Sequence, residues 1–357
     1  MNGWQTKLDS DWIDMELHYN DVGLPGSVPT HGGKVSEVEW SRPDDDIRYG
    51  YSFLYDSLSR VRDSRLFTDG QLDARFSERS ISYDSNGNVL EMLRSGAGVV
   101  ADTLSYSYVG NQLSGCTYDA NGNLTYDPKT GLSFEWNHLN LPRKVSRGDT
   151  VLVNYSYLAD GTKFSALDDE GRGLEYHGSL TFRKVGASRQ VESREFSCGR
   201  IYIMLGTSTP FVPFYHVKDY LGSVRAVVDG RSGEVVEAND YYAFGSRWET
   251  ISSSGTISNR YRFNGKEDQE GEFGVPTLDY GARHYTPSSA RWLSMDPLAE
   301  KYYGVSPYAF CNNDPVNFVD LDGRYFDKAS DRKAKLYEKR LENKAEKLTK
   351  RASILEN

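Results

Sequence analysis

A short motif repeated on strands of alternating aromatic residues constrains the fold of this chain more than any other feature. The motif Tyr83-Asp84-Ser-Asn-Gly87 recurs 35 residues later as Tyr118-Asp119-Ala-Asn-Gly122. Apolar residues alternate before the first copy, in Ile81-Ser-Tyr83, with the period of two that a half-buried strand requires. The Asn-Gly pair supplies the left-handed backbone conformations of a tight turn, and alternation restarts at Val89. Each copy therefore predicts a β-hairpin.

Similar alternation extends this pattern along much of the chain. A weaker copy of the motif lies at Tyr55-Asp56, and aromatic residues alternate before several other turn signals: Tyr49, Tyr51 and Phe53; Tyr106 and Tyr108; Phe134 and Trp136; Tyr155 and Tyr157. The 25 Tyr, 15 Phe and 6 Trp of the chain favour strands over helices. We therefore predict an all-β fold, a strip or partial spiral shell of antiparallel hairpins, with no helix before residue 324.

Two aspartates further along the chain are candidates for catalysis. Asp296 lies in Met-Asp-Pro and Asp320 in Val-Asp-Leu-Asp-Gly, 24 residues apart, and the strand and turn character between them could fold them back together. Two adjacent carboxylates share a proton, so that one acts as a base toward water and the other as an acid toward an amide nitrogen. From the residues alone, the alternative is that Asp296 only initiates an Asp-Pro turn and Asp320 an Asp-x-x-Gly turn.

The repeats and the segment after them resemble the YD-repeat, or Rhs (rearrangement hot spot), proteins. The resemblance rests on the two Tyr-Asp-x-x-Gly copies, on successive blocks at 219–230, 241–245 and 261–265, and on a dense aromatic block that ends at Asp320-Leu-Asp-Gly-Arg324. It covers roughly residues 45–324. It implies four segments: further strands at 1–44, repeat hairpins at 45–200, a compact repeat-associated core or plug at 201–324, and a charged tail at 325–357 in the toxin position.

The resemblance also implies self-cleavage. In Rhs proteins the core looks like an aspartyl-protease-type element that cuts the chain after its closing motif and frees a variable C-terminal toxin. Asp296 and Asp320 match the two family aspartates, and Arg291 matches the arginine of the Gly-Arg-Phe/Trp motif before them. The implied cut follows Arg324, so the cleavage site comprises Gly323, Arg324 and Tyr325.

The chain departs from the family pattern at several positions near the predicted site. The closing motif lacks the family's proline and final leucine, Ala290 replaces the glycine before the arginine, and Asn313-Asp314-Pro315 stands where Asn-Asn-Pro is usual. Such departures could impair cleavage. Asp322 is a spare carboxylate, which we rank below Asp320 as a catalytic candidate.

The composition changes in the tail. From Asp327 the chain lacks Gly and Pro, is rich in Lys, Glu, Ala and Leu, and places Leu341, Ala345 and Leu348 on one helical face. This pattern predicts a short C-terminal helix. The 33 residues after Arg324 are too few for an ordinary toxin domain with a core of its own.

Charge and cysteine usage exclude several classes of function. The net charge of -9 argues against a nucleic-acid surface, which needs clustered Lys and Arg. Cys116, Cys198 and Cys311 have no paired spacing, and the six histidines show no ligand pattern, so we predict no disulfide framework, no metal site and no cofactor. No window approaches a membrane span, and we expect no export signal at the N-terminus, although the parent family is secreted or at the cell surface.

Three hypotheses for function remain open. The first is a C-terminal fragment of an Rhs-type toxin delivery and encapsulation protein that cleaves itself near Arg324 and encloses its own C-terminal segment. The second is a non-catalytic structural or interaction module that pairs with a longer YD-repeat chain or with an immunity or secretion partner. The third is a cell-surface carbohydrate-binding module in which exposed aromatic residues stack on sugars.

Overall fold

The computed structural model describes residues 4–43, 45–98, 101–204, 210–249 and 259–329. The first part of the chain forms an eight-stranded antiparallel sheet in which each strand pairs with its neighbours in sequence. Its strands are β1 Lys7–Leu8, β2 Asp14–His18, β3 Glu37–Arg42, β4 Asp45–Tyr55, β5 Val61–Thr68, β6 Gln71–Tyr83, β7 Val89–Ser95 and β8 Ala101–Ser105.

A second and larger meander follows a small hairpin made of β9 Tyr108–Val109 and β10 Gln112–Leu113. This thirteen-stranded sheet again follows the order of the chain. Its strands are β11 Thr117–Tyr118, β12 Leu124–Asp127, β13 Leu132–Trp136, β14 Pro142–Arg147, β15 Thr150–Tyr157, β16 Lys163–Leu167, β17 Gly173–His177, β18 Leu180–Val185, β19 Ser188–Phe196, β20 Gly199–Ile203, β21 Phe211–Lys218, β22 Val224–Asp229 and β23 Val235–Ala238.

The residues after the second meander form a plug of short elements, which we call the core segment (residues 239–249 and 259–329). It contains a four-stranded sheet and a two-stranded sheet. Its strands are β24 Glu267–Asp268, β25 Leu278–Asp279, β26 His284–Thr286, β27 Arg291–Trp292, β28 Phe318–Asp320 and β29 Phe326–Lys328, and its helical turns are α1 Glu270–Phe273 and the 3-10 turns Phe263–Gly265, Ala299–Lys301 and Cys311–Asn313.

The predicted fold class is confirmed, with three local differences. A short helix, α1, precedes residue 324, where none was predicted; it is a single turn that ends at the left-handed Gly274. Strand β20 runs across the expected boundary at residue 200, and the meander continues to Ala238. Residues 326–328, at the beginning of the predicted charged tail, form a strand that pairs with Phe318–Asp320, and Phe326 packs on Phe318 and Tyr302. The rest of the predicted helix, residues 330–357, lies outside the described residues.

The repeat motif forms its hairpin turn through the aspartate side chain. In the first copy, the Asp84 Oδ1 accepts hydrogen bonds from the backbone N–H groups of Asn86 and Asn88 at 2.9 and 2.8 Å. In the Asn-Gly pair only Gly87 has a positive φ, +81°, whereas the sequence argument gave left-handed conformations to both residues. The carboxylate closes a wider turn that needs a single left-handed residue.

The same turn occurs six times among the residues that the structure describes, which is more often than the sequence motif indicates. In each copy one Asp or Asn oxygen accepts from the N–H groups two and four residues later, and the residue between these two has a positive φ. We call these the aspartate turns; they begin at Asp56, Asp84, Asp119, Asn137, Asp168 and Asp219. The turn at Asn137 follows the turn signal predicted after Trp136, whereas those at Asp168 and Asp219 were missed because these residues lack a preceding tyrosine.

The core segment packs against both meanders. Phe244 and Trp248 join a buried cluster with strands of the first sheet, and Phe273 and Leu293 join one with strands of the second. The core also binds two aspartate turns directly: the Asn313 Nδ2 donates to the Gly87 carbonyl and the Tyr308 hydroxyl to the Gly122 carbonyl, each at 2.6 Å. Two of the repeat glycines, Gly87 and Gly122, therefore lie where the core segment binds the meanders.

Candidate active site

The core brings together the two aspartates that the sequence singled out. Asp296 lies in the loop after β27, and Asp320 is the last residue of β28. Both carboxylates contact one nitrogen of Arg283, which precedes β26: the Arg283 Nη2 lies 2.9 Å from the Asp296 Oδ2 and 3.2 Å from the Asp320 Oδ2. The pair thus converges on a shared guanidinium rather than on a shared proton.

Packing fixes the position of Arg283. Its side chain is 2% exposed, and the guanidinium lies 4.0 Å above the ring of Trp292. Its Nε donates to the Gly323 carbonyl at 2.6 Å, and its Nη1 donates to the Pro307 carbonyl at 3.4 Å. All three nitrogens of the guanidinium are therefore paired. Nη2 contacts the two aspartates, Nε the closing motif and Nη1 the Pro307 carbonyl.

The predicted cleavage segment is folded onto this cluster. The Asp320 Oδ1 accepts from the N–H groups of Gly323 at 2.7 Å and Asp322 at 3.1 Å, so Asp320 also forms the Asp-x-x-Gly turn of the alternative interpretation. Gly323 has a φ of +80°, and a Cβ there would lie 2.8 Å from the backbone nitrogen of Arg283. Arg324 is exposed and Tyr325 is 37% exposed, so the chain leaves the buried turn directly at the predicted cut.

Burial sets the electrostatics of the two carboxyls. Burial raises the pKa of Asp320 to about 6, although Arg283 and the two N–H donors act in the opposite direction. Burial also raises the pKa of Asp296, against the attraction of Arg283. The Asp320 side chain is 2% exposed and that of Asp296 is 11% exposed, so Asp296 is the one closer to water. The site can therefore hold one protonated and one ionised carboxyl near pH 6.

Arg291 lies elsewhere. Its Nη2 donates to the Asn111 carbonyl at 2.6 Å, and its guanidinium lies over the rings of Tyr108 and Tyr308. The arginine beside the aspartates is Arg283, which sequence reasoning missed. Its only signal is its place in the aromatic block Asp279-Tyr-Gly-Ala-Arg-His-Tyr285.

One group of side chains could present ligands to a metal, although the sequence predicted no such site. Ligand atoms of Glu16, His18 and Glu39 lie within 4.8 Å of one another on the first sheet. The Arg48 guanidinium contacts both carboxylates, at 2.9 and 3.2 Å. Because that cation already neutralises the two ligand oxygens, the group carries no argument for a metal.

Comparisons with known proteins relate the chain to parts of toxin proteins. It is 30% identical over 256 residues to the tRNA3(Ser)-specific nuclease WapA of Bacillus spizizenii, a match that covers 70% of this chain and 9% of the relative. It is 32% identical over 112 residues to toxin subunit YenC1 of Yersinia entomophaga, covering 30% of this chain and 11% of the relative. No protein-family model matches. The similarities support the resemblance to YD-repeat proteins.

Solved structures share the fold. The complex TcdB2-TccC3 without its hypervariable C-terminal region superposes with a TM-score of 0.61 at 18% identity, covering 87% of this chain and 18% of that one. The Tc holotoxin pore of Photorhabdus luminescens gives 0.60 at 17% identity, covering 88% and 18%. The chain thus spans less than a fifth of these proteins. Within the described ranges, no helix has the length and apolar character needed to cross a membrane.

Proposed function

We propose that this chain is the C-terminal part of an Rhs-type toxin delivery and encapsulation protein whose core severs the segment after Arg324. The observation that carries the proposal is the convergence of Asp296 and Asp320 on Arg283, which also holds the Gly323 carbonyl. The fold shared with a TcdB2-TccC3 complex solved without a hypervariable C-terminal region supports the same order of core and variable segment.

In this proposal the two carboxyls have different roles, which we assign from their exposure. Asp296, the more exposed of the two, takes a proton from water, whose oxygen then attacks the carbonyl carbon of Arg324. Asp320 gives its proton to the nitrogen of Tyr325 as the peptide bond breaks, which leaves a new carboxyl on Arg324 and a new amine on Tyr325. Arg283 takes the arginine role assigned to Arg291 in the sequence, because it orients both carboxyls and the closing turn.

One observation favours the non-catalytic alternative. Arg283 occupies an oxygen of each aspartate, and a paired guanidinium stabilises two ionised carboxylates that only hold the turn closed. In that case the core is a clasp, and the protein pairs with a longer YD-repeat chain or with an immunity or secretion partner. Delivery outside the producing cell belongs to the first proposal and is supported by the toxin subunits among its relatives.

Mass spectrometry of the intact purified chain tests the first proposal. We expect a fragment that ends at Arg324 and a released piece of the last 33 residues, with faster conversion near pH 6 than near pH 8 because Asp320 must carry a proton. Asp296→Asn and Asp320→Asn should each abolish the cut. Asp168→Asn is the matched control, since it changes an aspartate-turn carboxylate outside the core and should cleave like the parent chain.

A chain that stays intact over this pH range supports the clasp. Cleavage that survives Asp296→Asn and Asp320→Asn in folded protein would assign the cut to another protease and would end the self-cleavage proposal.

A further inference from the structure

A second site lies at the junction of the two meanders and the core. A cavity of about 290 Å³ opens between β8, β12 and the β26–β27 hairpin. Its lining includes Tyr106, Asp127, Lys129, Thr286 and Arg291. None of these side chains belongs to the aspartate pair or to its arginine, so the cavity is separate from the candidate active site.

Arg291 is the unusual member of this lining. It is 5% exposed, its guanidinium is held 5.1 and 4.7 Å from the rings of Tyr108 and Tyr308, and one hydrogen bond runs from its Nη2 to the Asn111 carbonyl. In the part of the chain that the structure describes, it forms no ion pair with a carboxylate. A buried cation without a counter-charge is costly. The guanidinium also hydrogen-bonds to the Tyr108 hydroxyl, so at most three of its five N–H donors remain for another acceptor.

Another buried arginine shows how such a side chain is satisfied when no ligand is needed. Arg200 is 3% exposed and also lacks a carboxylate partner among the described residues. Its donors are used by the hydroxyls of Thr181 and Ser193, in three hydrogen bonds of 2.6 to 3.2 Å. Arg291 has one hydroxyl partner, Tyr108, and its side chain lines the cavity.

The rest of the cavity is cationic and rich in hydroxyl groups. Lys129 adds a second positive charge, with its Nζ 5.9 Å from the ring of Tyr106. The side-chain hydroxyls of Ser107, Thr286 and Ser289 line the cavity and have no hydrogen-bond partner among the residues described. Asp127 is the one acidic residue of the lining, and its oxygens already accept from Thr130 and from the Lys129 N–H.

We propose that this cavity binds a small hydroxyl-bearing ligand with one anionic group, an acidic sugar carrying a carboxylate or a phosphate. The anionic group pairs with Arg291 and Lys129, which gives the guanidinium its missing counter-charge. The sugar hydroxyls bond to Ser107, Thr286 and Ser289. This arrangement also supplies the polar groups beside an aromatic ring that the sequence alone did not reveal for the carbohydrate hypothesis.

Isothermal titration calorimetry of the full chain at low ionic strength tests the proposal with four probes: glucuronate, glucose 6-phosphate, neutral glucose and inorganic phosphate. We expect one site, with at least one acidic sugar binding about tenfold or more tightly than both glucose and inorganic phosphate. Comparing the affinities for glucuronate and glucose 6-phosphate shows whether the anionic group is a carboxylate or a phosphate. Equal binding of glucose, or no heat from either acidic sugar, overturns the proposal.

Variants place the binding in this cavity. Arg291→Gln should weaken the tighter acidic sugar about tenfold or more, and Arg291→Lys should weaken it less because the charge remains. Arg200→Gln is the matched control, a buried arginine remote from the cavity, and should bind like the parent chain. Since Arg291→Gln removes contacts with two tyrosines, the exposed Lys129→Gln provides a second test that does not threaten the fold. If folded Arg291→Gln binds with unchanged affinity, the assignment is contradicted. If Arg291→Gln does not fold, unchanged affinity in Lys129→Gln contradicts it.

Discussion

The meanders and the core segment both close turns with an aspartate side chain, but the two kinds of aspartate differ in burial and in pKa. In the strip, Asp168 closes a hairpin with hydrogen bonds from Glu170 and Arg172 at its surface. In the core, Asp320 closes a similar turn on Asp322 and Gly323, but it is buried beside Arg283 and Asp296. Burial opposes ionisation of both, yet the hydrogen bonds to Asp168 prevail and lower its pKa, whereas the pKa of Asp320 rises to about 6. Depth in the fold converts a structural carboxylate into one that can hold a proton near neutral pH.

The largest effect that would test this contrast is expected from Arg283→Gln. Removing the guanidinium leaves two buried carboxylates without a counter-charge, which should lower the free energy of unfolding by about 3 kcal/mol at neutral pH. The loss should shrink toward pH 5, because protonation removes the uncompensated charge. Chemical denaturation at both pH values measures it. Arg172→Gln, which leaves the partly exposed Asp168 and the exposed Glu170 unpaired, should change stability little. Equal losses in the two variants would contradict the role of burial.

Asp314 sharpens the comparison because it is a buried carboxyl without an arginine. Burial raises its pKa to about 7, and its described hydrogen bond comes from the Asn317 amide at 2.8 Å. The folded state therefore binds this proton more tightly than the unfolded chain, so stability is full below about pH 4 and falls as the pH rises through about 7. Asp314→Asn should be more stable than the parent chain at pH 8, by roughly 2 kcal/mol, and should lose that advantage near pH 5. Chemical denaturation measures this difference. The same difference in unfolding free energy between Asp314→Asn and the parent chain at both pH values would refute this explanation.

Glycines that contact the core and glycines that face solvent should differ in how much stability is lost when each is replaced by alanine. Gly122 has a φ of +78°, and a Cβ would lie 2.7 Å from the Tyr308 hydroxyl and 2.8 Å from the Met295 sulfur. Gly122→Ala should cost about 2 kcal/mol, from backbone strain together with displacement of the core. Gly178→Ala, at a φ of +62° with nothing within 4 Å, should cost about 1 kcal/mol from strain alone. Denaturation midpoints that do not separate the two variants would show that the core contact is unimportant.

The smallest effect is expected in the strip itself. Asp168→Ala removes an acceptor for two backbone N–H groups that water can reach, so it should cost about 1 kcal/mol. Asp168→Asn should cost less, because Asn137 closes an aspartate turn of the same form with its amide oxygen. A urea titration of the two variants distinguishes them, and a larger loss for asparagine than for alanine would contradict the turn chemistry.

Local chemistry explains which features the sequence predicted. The hairpins at Asp84 and Asp119 follow from alternation and turn residues within a few positions, so they were predicted correctly even though Asn86 does not take the left-handed conformation. The turn at Asp219 was missed because Lys218 precedes it where the motif has a tyrosine. From the residues alone, the convergence of Asp296 with Asp320 was one of two open alternatives, and the family resemblance favoured it.

Tertiary contacts explain the remaining differences. Arg283 reaches the aspartates because β26 and the closing turn lie side by side, a relation that no local pattern in the sequence records. Arg291 had the expected motif, but packing between Tyr108 and Tyr308 directs it toward the meander junction. Residues 326–328 belong to the predicted charged tail, yet pairing with Phe318–Asp320 makes them a strand.

The order of strands in the two meanders has a consequence for how the molecule assembles. Every pairing in these sheets joins sequence neighbours, so each hairpin closes a short loop and can form early. The core instead contacts distant parts of the strip, as in the hydrogen bond from the Val35 N–H to the Asn317 side chain, 282 residues apart. We therefore expect docking of the core to be the slow, late event of folding, so that any chemistry at Asp320 follows formation of the two meanders.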